Sequence, residues 1–507
     1  MKKYLSVIVV IILSVLLYAC QEGSTTTTPL TTTETTTIPT TLTTKPWVYQ
    51  PANTDNSISE QVDLYDNTYN IGLFVTIDPT TSIGINFELP SEGKGYVDYK
   101  TVGSDDKISI ESTYKSTLVG KKTLNHHEAL LLNLLPDTTY EYRVRDEEGT
   151  QISDVYRFKT KSVNPSEFSF LLLADPQENS SLGYMAYSHS IMTVMDEINQ
   201  TPDFMMFVGD IVNDADIRSE WNYFFTYSSP FIYNIPIMAT VGNHDVGRVT
   251  DTRMTNLEFD GYFNLPNNGP TYKPFSDISE DLRPTDFDNG KTYSFDYDNT
   301  HFIAINSETL CDGTTACSLK DAANVEILKQ WLVDDLTTNE MKWTIVFLHR
   351  GPYTLSYDTI MIREELVPIF EQFDVDLVVS GHDHQYSRSI YNEGSMIPFN
   401  RSDDYLKGTQ SLITSNEVDY HFNDYDTSIG VTYLVGNTSG TKFYGGVRSS
   451  GIDVHYEFLD KHVVIPQIMI TDDYIKVTSY GLERASQFQV EVDDIYILET
   501  FYLRKQQ

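Results

Sequence analysis

A chain of 507 residues is too long for one ordinary hydrophobic core, so two or three domains are expected. Hydrophobic residues make up 40% and aromatic residues 12% of the chain, which excludes a disordered protein. The formal net charge of −37 argues against nucleic-acid binding through a basic surface and is explained by solubility.

The N-terminus has the features of an export signal. Lys2 and Lys3 precede the apolar stretch 4–19, which is short for a membrane span. The following Leu-Tyr-Ala-Cys20 resembles the lipobox of bacterial lipoproteins, and the resemblance implies that residues 1–19 are removed and Cys20 is lipidated. An ordinary secretory signal with a coincidental cysteine is the alternative. Both hypotheses predict export, and the first predicts a lipid anchor on the extracellular face of the membrane.

Two further features agree with an exported protein. Residues 20–47 are dominated by Thr with scattered Pro, which predicts a disordered, extended spacer between the lipid and the folded body. Cys311 and Cys317 are spaced for a small loop disulfide, which an oxidising location permits.

Residues 48–162 carry several short strand signals separated by turns, and no convincing helix, which predicts a small β-sandwich. Within it, the stretch from His127 to Thr160 resembles the fibronectin-like domain that precedes the catalytic domain of purple acid phosphatases. His126 and His127 are therefore interpreted as sandwich residues rather than metal ligands.

Residues 163–507 are predicted to form an α/β domain. Near-continuous apolar runs, typical of buried strands, alternate with helical spacing within 187–198, 325–332 and 364–373. The runs are 168–174, 204–208, 235–241, 343–348 and 375–379. Three alternating segments near the C-terminus predict further strands.

Carboxylate, amide and imidazole side chains are concentrated in short motifs, most of which directly follow an apolar run. The motifs are Asp175-Pro-Gln177, Gly209-Asp210, Gly242-Asn243-His244-Asp245, His349-Arg350 and Gly381-His382-Asp383-His384. In α/β sheets ligands bind beyond the carboxyl ends of the strands, so we expect these side chains to converge. Mixed oxygen and imidazole ligands suit Zn, Fe or Mn, and a pair of such cations can hydrolyse phosphate esters.

This ordered set resembles the calcineurin-like metallophosphoesterase superfamily, and with the preceding sandwich it is most similar to bacterial purple-acid-phosphatase-like proteins. The resemblance implies a four-layer α/β/β/α domain and two divalent metal ions (Fe, Zn or Mn). Asp210 would bridge the two ions through its two carboxylate oxygens. The other implied ligands are Asp175, Gln177 and His384 for the first metal and Asn243, His349 and His382 for the second.

Two further side chains are candidates for roles beside the metals. His244 follows the ligand Asn243 and is the candidate to protonate the leaving alkoxide, with a hydrogen-bonded core histidine as the alternative. Arg350 follows the ligand His349 and is the candidate to contact the phosphate, with a salt-bridged surface arginine as the alternative. Asp245 and Asp214 are interpreted as loop or cap residues.

Two positions depart from the purple acid phosphatase pattern. Those enzymes carry a metal-binding Tyr three residues after the bridging Asp, where this chain has Asn213. The ferric-tyrosinate colour is therefore expected to be absent. Gln177 stands where many members of the superfamily have His, which predicts a weaker first metal site.

The sequence thus predicts an exported phosphomonoesterase that acts on a phosphorylated small molecule or nucleotide and contacts the membrane through lipid on Cys20. A phosphodiesterase or nucleotidase using the same centre is the near alternative. A non-catalytic surface binding protein is the distant one, which the complete ligand set disfavours. Specificity is expected to lie in loops such as 246–291.

Overall fold

The computed structural model describes residues 36–37, 47–49, 69–119, 122–247, 254–255, 257–272, 291–310, 322–357, 359–397, 424–426, 430–444, 449–486 and 489–505. The predicted export signal, Cys20, almost all of the Thr-rich spacer, Cys311, Cys317 and most of loop 246–291 lie outside these residues. No helix within the described ranges combines the length and apolar character that a membrane crossing requires.

Short strands predominate in the first half of the described chain. The strands are β1 (Thr36–Thr37), β2 (Gly72–Phe74), β3 (Ile83–Glu88), β4 (Gly95–Thr101), β5 (Ile108–Glu111), β6 (Thr113–Val119), β7 (Lys122–Leu131), β8 (Thr139–Asp146), β9 (Tyr156–Lys159), β10 (Glu167–Leu173), β11 (Phe204–Val208), β12 (Ile237–Thr240), β13 (Val246–Gly247) and β14 (Met254–Thr255). The helices are α1 (Ser181–Ile198), α2 (Arg218–Ile232) and α3 (Leu257–Tyr262).

The second half alternates strands and helices before it returns to strands. The strands are β15 (Tyr293–Tyr297), β16 (Thr300–Ile305), β17 (Trp343–Leu348), β18 (Leu377–Ser380), β19 (Tyr386–Asn392), β20 (Ser395–Met396), β21 (Asp424–Asp426), β22 (Val431–Gly436), β23 (Tyr456–Phe458), β24 (Val463–Thr471), β25 (Ile475–Glu483) and β26 (Asp494–Arg504). The helices are α4 (Ala322–Thr338) and α5 (Ile360–Gln372), with a 3₁₀ turn at Ser307–Leu310.

The N-terminal part is a β-sandwich. One sheet has the strand order β1-β5-β4-β8-β9, and the other contains β2, β3, β7 and β6. Inward-facing apolar side chains from both sheets, such as Val97, Tyr142 and Phe87, are buried in the shared core. His126 and His127 lie in β7 and are buried, and the His127 ring stacks on Phe87 with ring centroids 4.9 Å apart. Both histidines are therefore sandwich residues, away from the metal-binding groups described below.

The sandwich is joined to the following domain by backbone pairing. Strand β2 pairs in parallel with β12, with Phe74 opposite Ile237. The result is one continuous sheet of order β21-β26-β25-β24-β10-β11-β12-β2-β3-β7-β6. Around this joint the Tyr142 hydroxyl donates to the Tyr233 carbonyl at 2.7 Å, and both residues are buried. The sequence predicts two consecutive modules and gives no sign of the shared sheet.

The C-terminal part has the predicted four layers. The long sheet and a second sheet of order β15-β16-β17-β18-β22-β19-β20 pack face to face. Phe204 of β11 contacts Phe302 of β16 with ring centroids 5.7 Å apart, whereas Phe207 contacts Phe224 of α2 at 5.5 Å. Helices α4 and α5 contribute Leu328 and similar side chains to a core on the outer face of the second sheet. The predicted α/β fold is confirmed.

The sheet topology explains why distant motifs meet. Strands β10, β11 and β12 are parallel neighbours, and so are β16, β17, β18 and β22. Parallel strands end at the same edge of a sheet, so the loops that leave them share one end of the domain. Two facing sheets of this kind bring both sets of loops together.

Candidate metal centre

The metal-ligand residue types predicted from the sequence form two overlapping groups. Asp210, His349 and His382 form one group, and Asp175, Asp210 and His384 form the other. Within each group one potential ligand atom per residue lies within 4.8 Å of the others. All five side chains are buried. Asp210 belongs to both groups, which is the arrangement expected of a carboxylate shared by two cations.

The backbone at these positions takes an uncommon conformation. Asp175, Gln177, Asp210, His382 and His384 all have positive φ angles, from 40° to 68°. Such angles are unfavourable for residues other than glycine, and they cluster where function requires a sharp chain reversal. The reversal is fixed by hydrogen bonds between loops, because the Asp175 amide donates to the Gly209 carbonyl at 3.3 Å and the Gln177 amide to the Asp210 carbonyl at 2.9 Å.

Glycines next to the ligands allow the loops to approach closely. A Cβ atom on Gly381 would lie 2.4 Å from Oδ2 of Asp175. A Cβ atom on Gly209, whose φ is +85°, would lie 2.6 Å from Nδ1 of His349. Both distances are shorter than any normal contact, so each glycine is required by the packing of a ligand side chain against its backbone.

Hydrogen bonds orient the imidazoles. Nδ1 of His349 lies 2.8 Å from the Val208 carbonyl, and Nδ1 of His384 bonds the Lys442 carbonyl. A carbonyl oxygen only accepts, so Nδ1 carries a proton in both rings, and Nε2 offers its lone pair to a cation when the ring is neutral. Those Nε2 atoms lie 3.3 Å from Oδ2 of Asp210 and 3.4 Å from Oδ1 of Asp175, respectively.

His382 is held in a different way. Its Nε2 accepts a hydrogen bond from a terminal nitrogen of Arg350 at 3.1 Å, which fixes the orientation of the ring and places the proton of the neutral ring on Nδ1. Its backbone amide donates to both carboxylate oxygens of Asp175, at 2.9 and 3.1 Å. Burial, followed by the charge of Arg350, lowers the pKa of His382 well below its ordinary value, so this ring stays neutral.

The charges of the centre favour a cation. Burial alone would lower the pKa of His349, but the adjacent Asp210 carboxylate outweighs burial and raises it to about 10. For Asp210 the two effects have the opposite signs. Burial raises the pKa of its carboxyl, but His349 and His244 together hold this pKa well below its usual range. Without a cation, a proton on His349 therefore balances the charge of Asp210. Since a metal-binding imidazole must be neutral, cation binding releases this proton.

The two amide ligands proposed from the sequence fit the same centre. Gln177 is 2% exposed, and neither atom of its side-chain amide has a hydrogen-bond partner among the described residues. A buried amide without partners is costly, and a cation at Oε1 would supply one. Oδ1 of Asn243 lies 3.2 Å from Nε2 of His349, so both atoms point to one position. The residues present therefore fit a pair of cations.

His244 adjoins the centre without belonging to either ligand group. Its backbone amide donates to Oδ1 of Asp210 at 2.7 Å, and its ring is half-buried. Nδ1 of the ring lies 2.5 Å from the Asn213 carbonyl, which assigns the proton to Nδ1 and leaves Nε2 for another partner. A role as proton donor stays a prediction.

Asn213, which stands where purple acid phosphatases have tyrosine, directs its side-chain oxygen to Nζ of Lys442 at 3.5 Å.

Arg350 is ion-paired but is not on the surface. It is 2% exposed, and its guanidinium donates to both carboxylate oxygens of Glu308, at 2.7 and 3.1 Å. A third contact reaches His382, as described above. This geometry makes Arg350 a positioning residue for His382, and a contact with phosphate stays a prediction.

Three carboxylates near the centre hold loops in place. Asp245 accepts hydrogen bonds from the amides of Ile211 and Gly242, both at 2.9 Å, which agrees with its interpretation as a loop residue. Asp383 lies between two ligands, and its side chain accepts from the amides of Leu355 and Ser356. Glu308 was not recognised from the sequence. It lies shortly after the end of β16, just as the ligands lie shortly after their strands. Its position behind a buried apolar run could therefore have identified it.

Comparisons with known proteins agree with this geometry. Residues 152–386 match the calcineurin-like phosphoesterase family, and residues 69–160 match the N-terminal domain of purple acid phosphatases. An uncharacterized protein of Mycobacterium tuberculosis strain H37Rv is 24% identical over 388 residues, which cover 71% of this chain and 66% of the relative. Purple acid phosphatase 23 of Arabidopsis thaliana is 22% identical over 343 residues, covering 61% and 65%. The chain spans just under two thirds of the length of these relatives.

Solved structures show the same architecture. Purple acid phosphatase PPD1 from yellow lupin seeds has a TM-score of 0.58 at 15% identity, covering 87% of this chain and 75% of that one. A structure of PhoD has a TM-score of 0.56 at 13% identity, covering 88% and 92%. At such identities the likeness concerns the fold, and it confirms the metallophosphoesterase architecture predicted from the sequence.

Proposed function

Because the chain contains a calcineurin-like phosphoesterase domain behind a purple acid phosphatase N-terminal domain, we propose that it is a metal-dependent phosphomonoesterase with a dinuclear centre. The observation that carries this proposal is the position of Asp210, whose carboxylate takes part in both ligand groups. A substrate-binding protein without catalysis has no need of a buried carboxylate shared in this way.

Each residue of the centre has a defined task in this proposal. Asp175, Gln177 and His384 would hold the first cation, Asn243, His349 and His382 the second, and Asp210 both. When bound, two cations ~3.5–4 Å apart supply charge neutralisation of the phosphoryl group and a water of lowered pKa. His244 holds a proton at Nε2 when it is charged and donates it to the leaving alkoxide. Arg350 fixes the orientation of the His382 ring.

We further propose that the enzyme acts outside the cytoplasm, anchored by lipid on Cys20. The sequence of residues 1–20 supports the anchor, and the Thr-rich spacer would hold the catalytic domain away from the membrane surface. The acidic chain repels phosphorylated substrates at long range, so the cations would reverse the field at the site itself.

The test combines metal analysis with a substrate panel. Purified protein loaded with Fe, Zn or Mn should hydrolyse p-nitrophenyl phosphate faster than bis-p-nitrophenyl phosphate, and the reverse order would indicate a phosphodiesterase. Asp210→Ala should abolish metal loading and turnover together, because both ligand groups lose their shared member. Asp473→Ala, which removes an exposed carboxylate in a distant turn, is the matched control. Full turnover by Asp210→Ala would refute the shared centre.

A further inference from the structure

We propose that Tyr357 and Tyr444 form an aromatic platform beside the metal centre, which binds a planar ring in the leaving group of the substrate. The inference rests on the proposed phosphomonoesterase function and narrows it. The substrate class it indicates is the nucleoside monophosphates, whose base offers such a ring.

The two tyrosines cover the two histidines of the Gly-His-Asp-His motif. The Tyr357 ring lies 4.6 Å from the His382 ring at an interplanar angle of 40°. The Tyr444 ring stacks on His384 at 4.2 Å and 27°. The tyrosine rings are 6.2 Å apart and nearly perpendicular, at 77°. Both residues are half-buried, so each ring packs on a histidine and keeps part of its surface open to solvent.

The loop that carries Tyr357 is fixed from the metal side. Asp383 is fully buried between the two histidines, and its carboxylate accepts from the amides of Leu355 and Ser356 at 2.6 and 2.9 Å. The Leu355 carbonyl in turn accepts from the amides of Ser449 and Ser450. The motif that supplies two metal ligands therefore also determines where the Tyr357 ring lies.

The loop that carries Tyr444 is fixed in the same manner. The Lys442 carbonyl accepts from Nδ1 of His384, and the Thr438 hydroxyl donates to the Asp175 carbonyl at 2.7 Å. Glu178, a buried carboxylate that the proposed mechanism does not use, accepts from the Thr441 amide. Three anchors on a segment of seven residues hold Tyr444 in a defined position, as a binding surface requires.

The platform adjoins the side of the centre where the leaving group is expected. Nζ of Lys442 lies 3.5 Å from Oδ1 of Asn213, and the carbonyl of Asn213 bonds the ring of His244. If His244 protonates the leaving alkoxide, the leaving group passes between His244 and the segment that carries Tyr444. A flat, π-rich group there would stack on the part of the tyrosine rings that their neighbours leave uncovered, an interaction that every nucleobase can make.

The experiment compares adenosine 5′-monophosphate with ribose 5-phosphate, at equal metal loading. Both esters release a primary alkoxide at the 5-position of a ribose, so a difference in kcat/KM reports chiefly the base. The wild-type enzyme should favour the nucleotide by about 5- to 160-fold, the range that aromatic stacking supplies. The double variant Tyr357→Leu, Tyr444→Leu should bring the ratio close to one, whereas the ring-retaining Tyr444→Phe should preserve it.

Tyr474→Leu is the matched control, because Tyr474 contacts Tyr502 far from the centre and its removal should leave the ratio unchanged. Adenosine should also inhibit hydrolysis of ribose 5-phosphate competitively by the wild-type enzyme, a test that needs no variant. Hydrolysis of both esters at equal efficiency without inhibition by adenosine would overturn the platform and leave the proposed phosphatase intact. Hydrolysis of neither ester by protein that still hydrolyses p-nitrophenyl phosphate would overturn the platform alone, whereas loss of activity on all three esters with both metals bound would overturn the proposed function as well.

Discussion

Removing Glu308 should destabilise the protein and weaken its metal centre at the same time. Glu308 and Arg350 are 6% and 2% exposed, and two hydrogen bonds of 2.7 and 3.1 Å join them. Breaking a buried ion pair by removal of one partner costs about 3–5 kcal/mol, because a charge is left without compensation. Glu308→Leu should therefore lower the free energy of unfolding by that amount in urea denaturation of the metal-free protein.

The double variant Glu308→Leu, Arg350→Met separates stability from metal binding. It removes both charges, so the stability should return close to the wild-type value. His382 nevertheless loses its hydrogen bond from Arg350, and loss of such an orienting partner typically lowers metal affinity about 10- to 100-fold. Competition with a chelator, followed by elemental analysis, measures this loss.

The control is Glu111→Ala, which opens the exposed ion pair with Lys94 and should leave the urea midpoint unchanged. A free energy of unfolding equal to that of the wild-type protein in Glu308→Leu would show that the Glu308–Arg350 pair does not stabilise the protein by the expected amount. Wild-type metal affinity in the double variant would show that Arg350 does not position His382.

Two other substitutions test the structure independently. Gln177→Leu should stabilise the metal-free protein by about 1 kcal/mol, since it removes a buried amide without partners, and should weaken one of two metal sites. If the metal affinity of each site is the same in Gln177→Leu as in the wild-type protein, Gln177 is not a ligand. His301 bonds Asp296 and Asp335, and although burial lowers its pKa, these carboxylates raise it to about 9. The stabilisation is fully present below pH ~6.5 and is lost as the pH rises through ~9, a change on the order of 2–3 kcal/mol. His301→Gln should flatten this part of the stability curve in urea titrations at pH 6.5 and 9.5, and an unchanged curve would contradict the assignment.

Local sequence patterns were sufficient for the elements that place the ligands. The apolar runs 204–208 and 343–348 correspond to β11 and β17 without a shift, because fully buried parallel strands need apolar side chains on both faces. The motif residues after them converge because parallel strands end together. Helix α2 was missed, since its aromatic and serine residues and Pro230 obscure the helical spacing.

Features that depend on contacts between distant segments were beyond the sequence. Tyr357 and Tyr444 lie in loops without a motif, and only the folded chain brings them onto His382 and His384. The carboxylate of Asp383 bonds to the loop before α5, and no local sequence pattern indicates these bonds. Pairing of β2 with β12 likewise joins strand edges from distant parts of the chain, and hydrophobic periodicity does not predict such a pairing.

That pairing joins the N-terminal sandwich and the C-terminal domain into one folded body, so the sandwich cannot be removed without consequence. A fragment beginning near residue 163 would leave the edge of β12 with unsatisfied amides and carbonyls, next to apolar side chains such as Ile237 that the native chain shields. An open strand edge of this kind recruits other chains. We therefore expect the protein to depend on its N-terminal region for solubility, and a truncated protein for crystallography or expression should begin no later than the residues before β2.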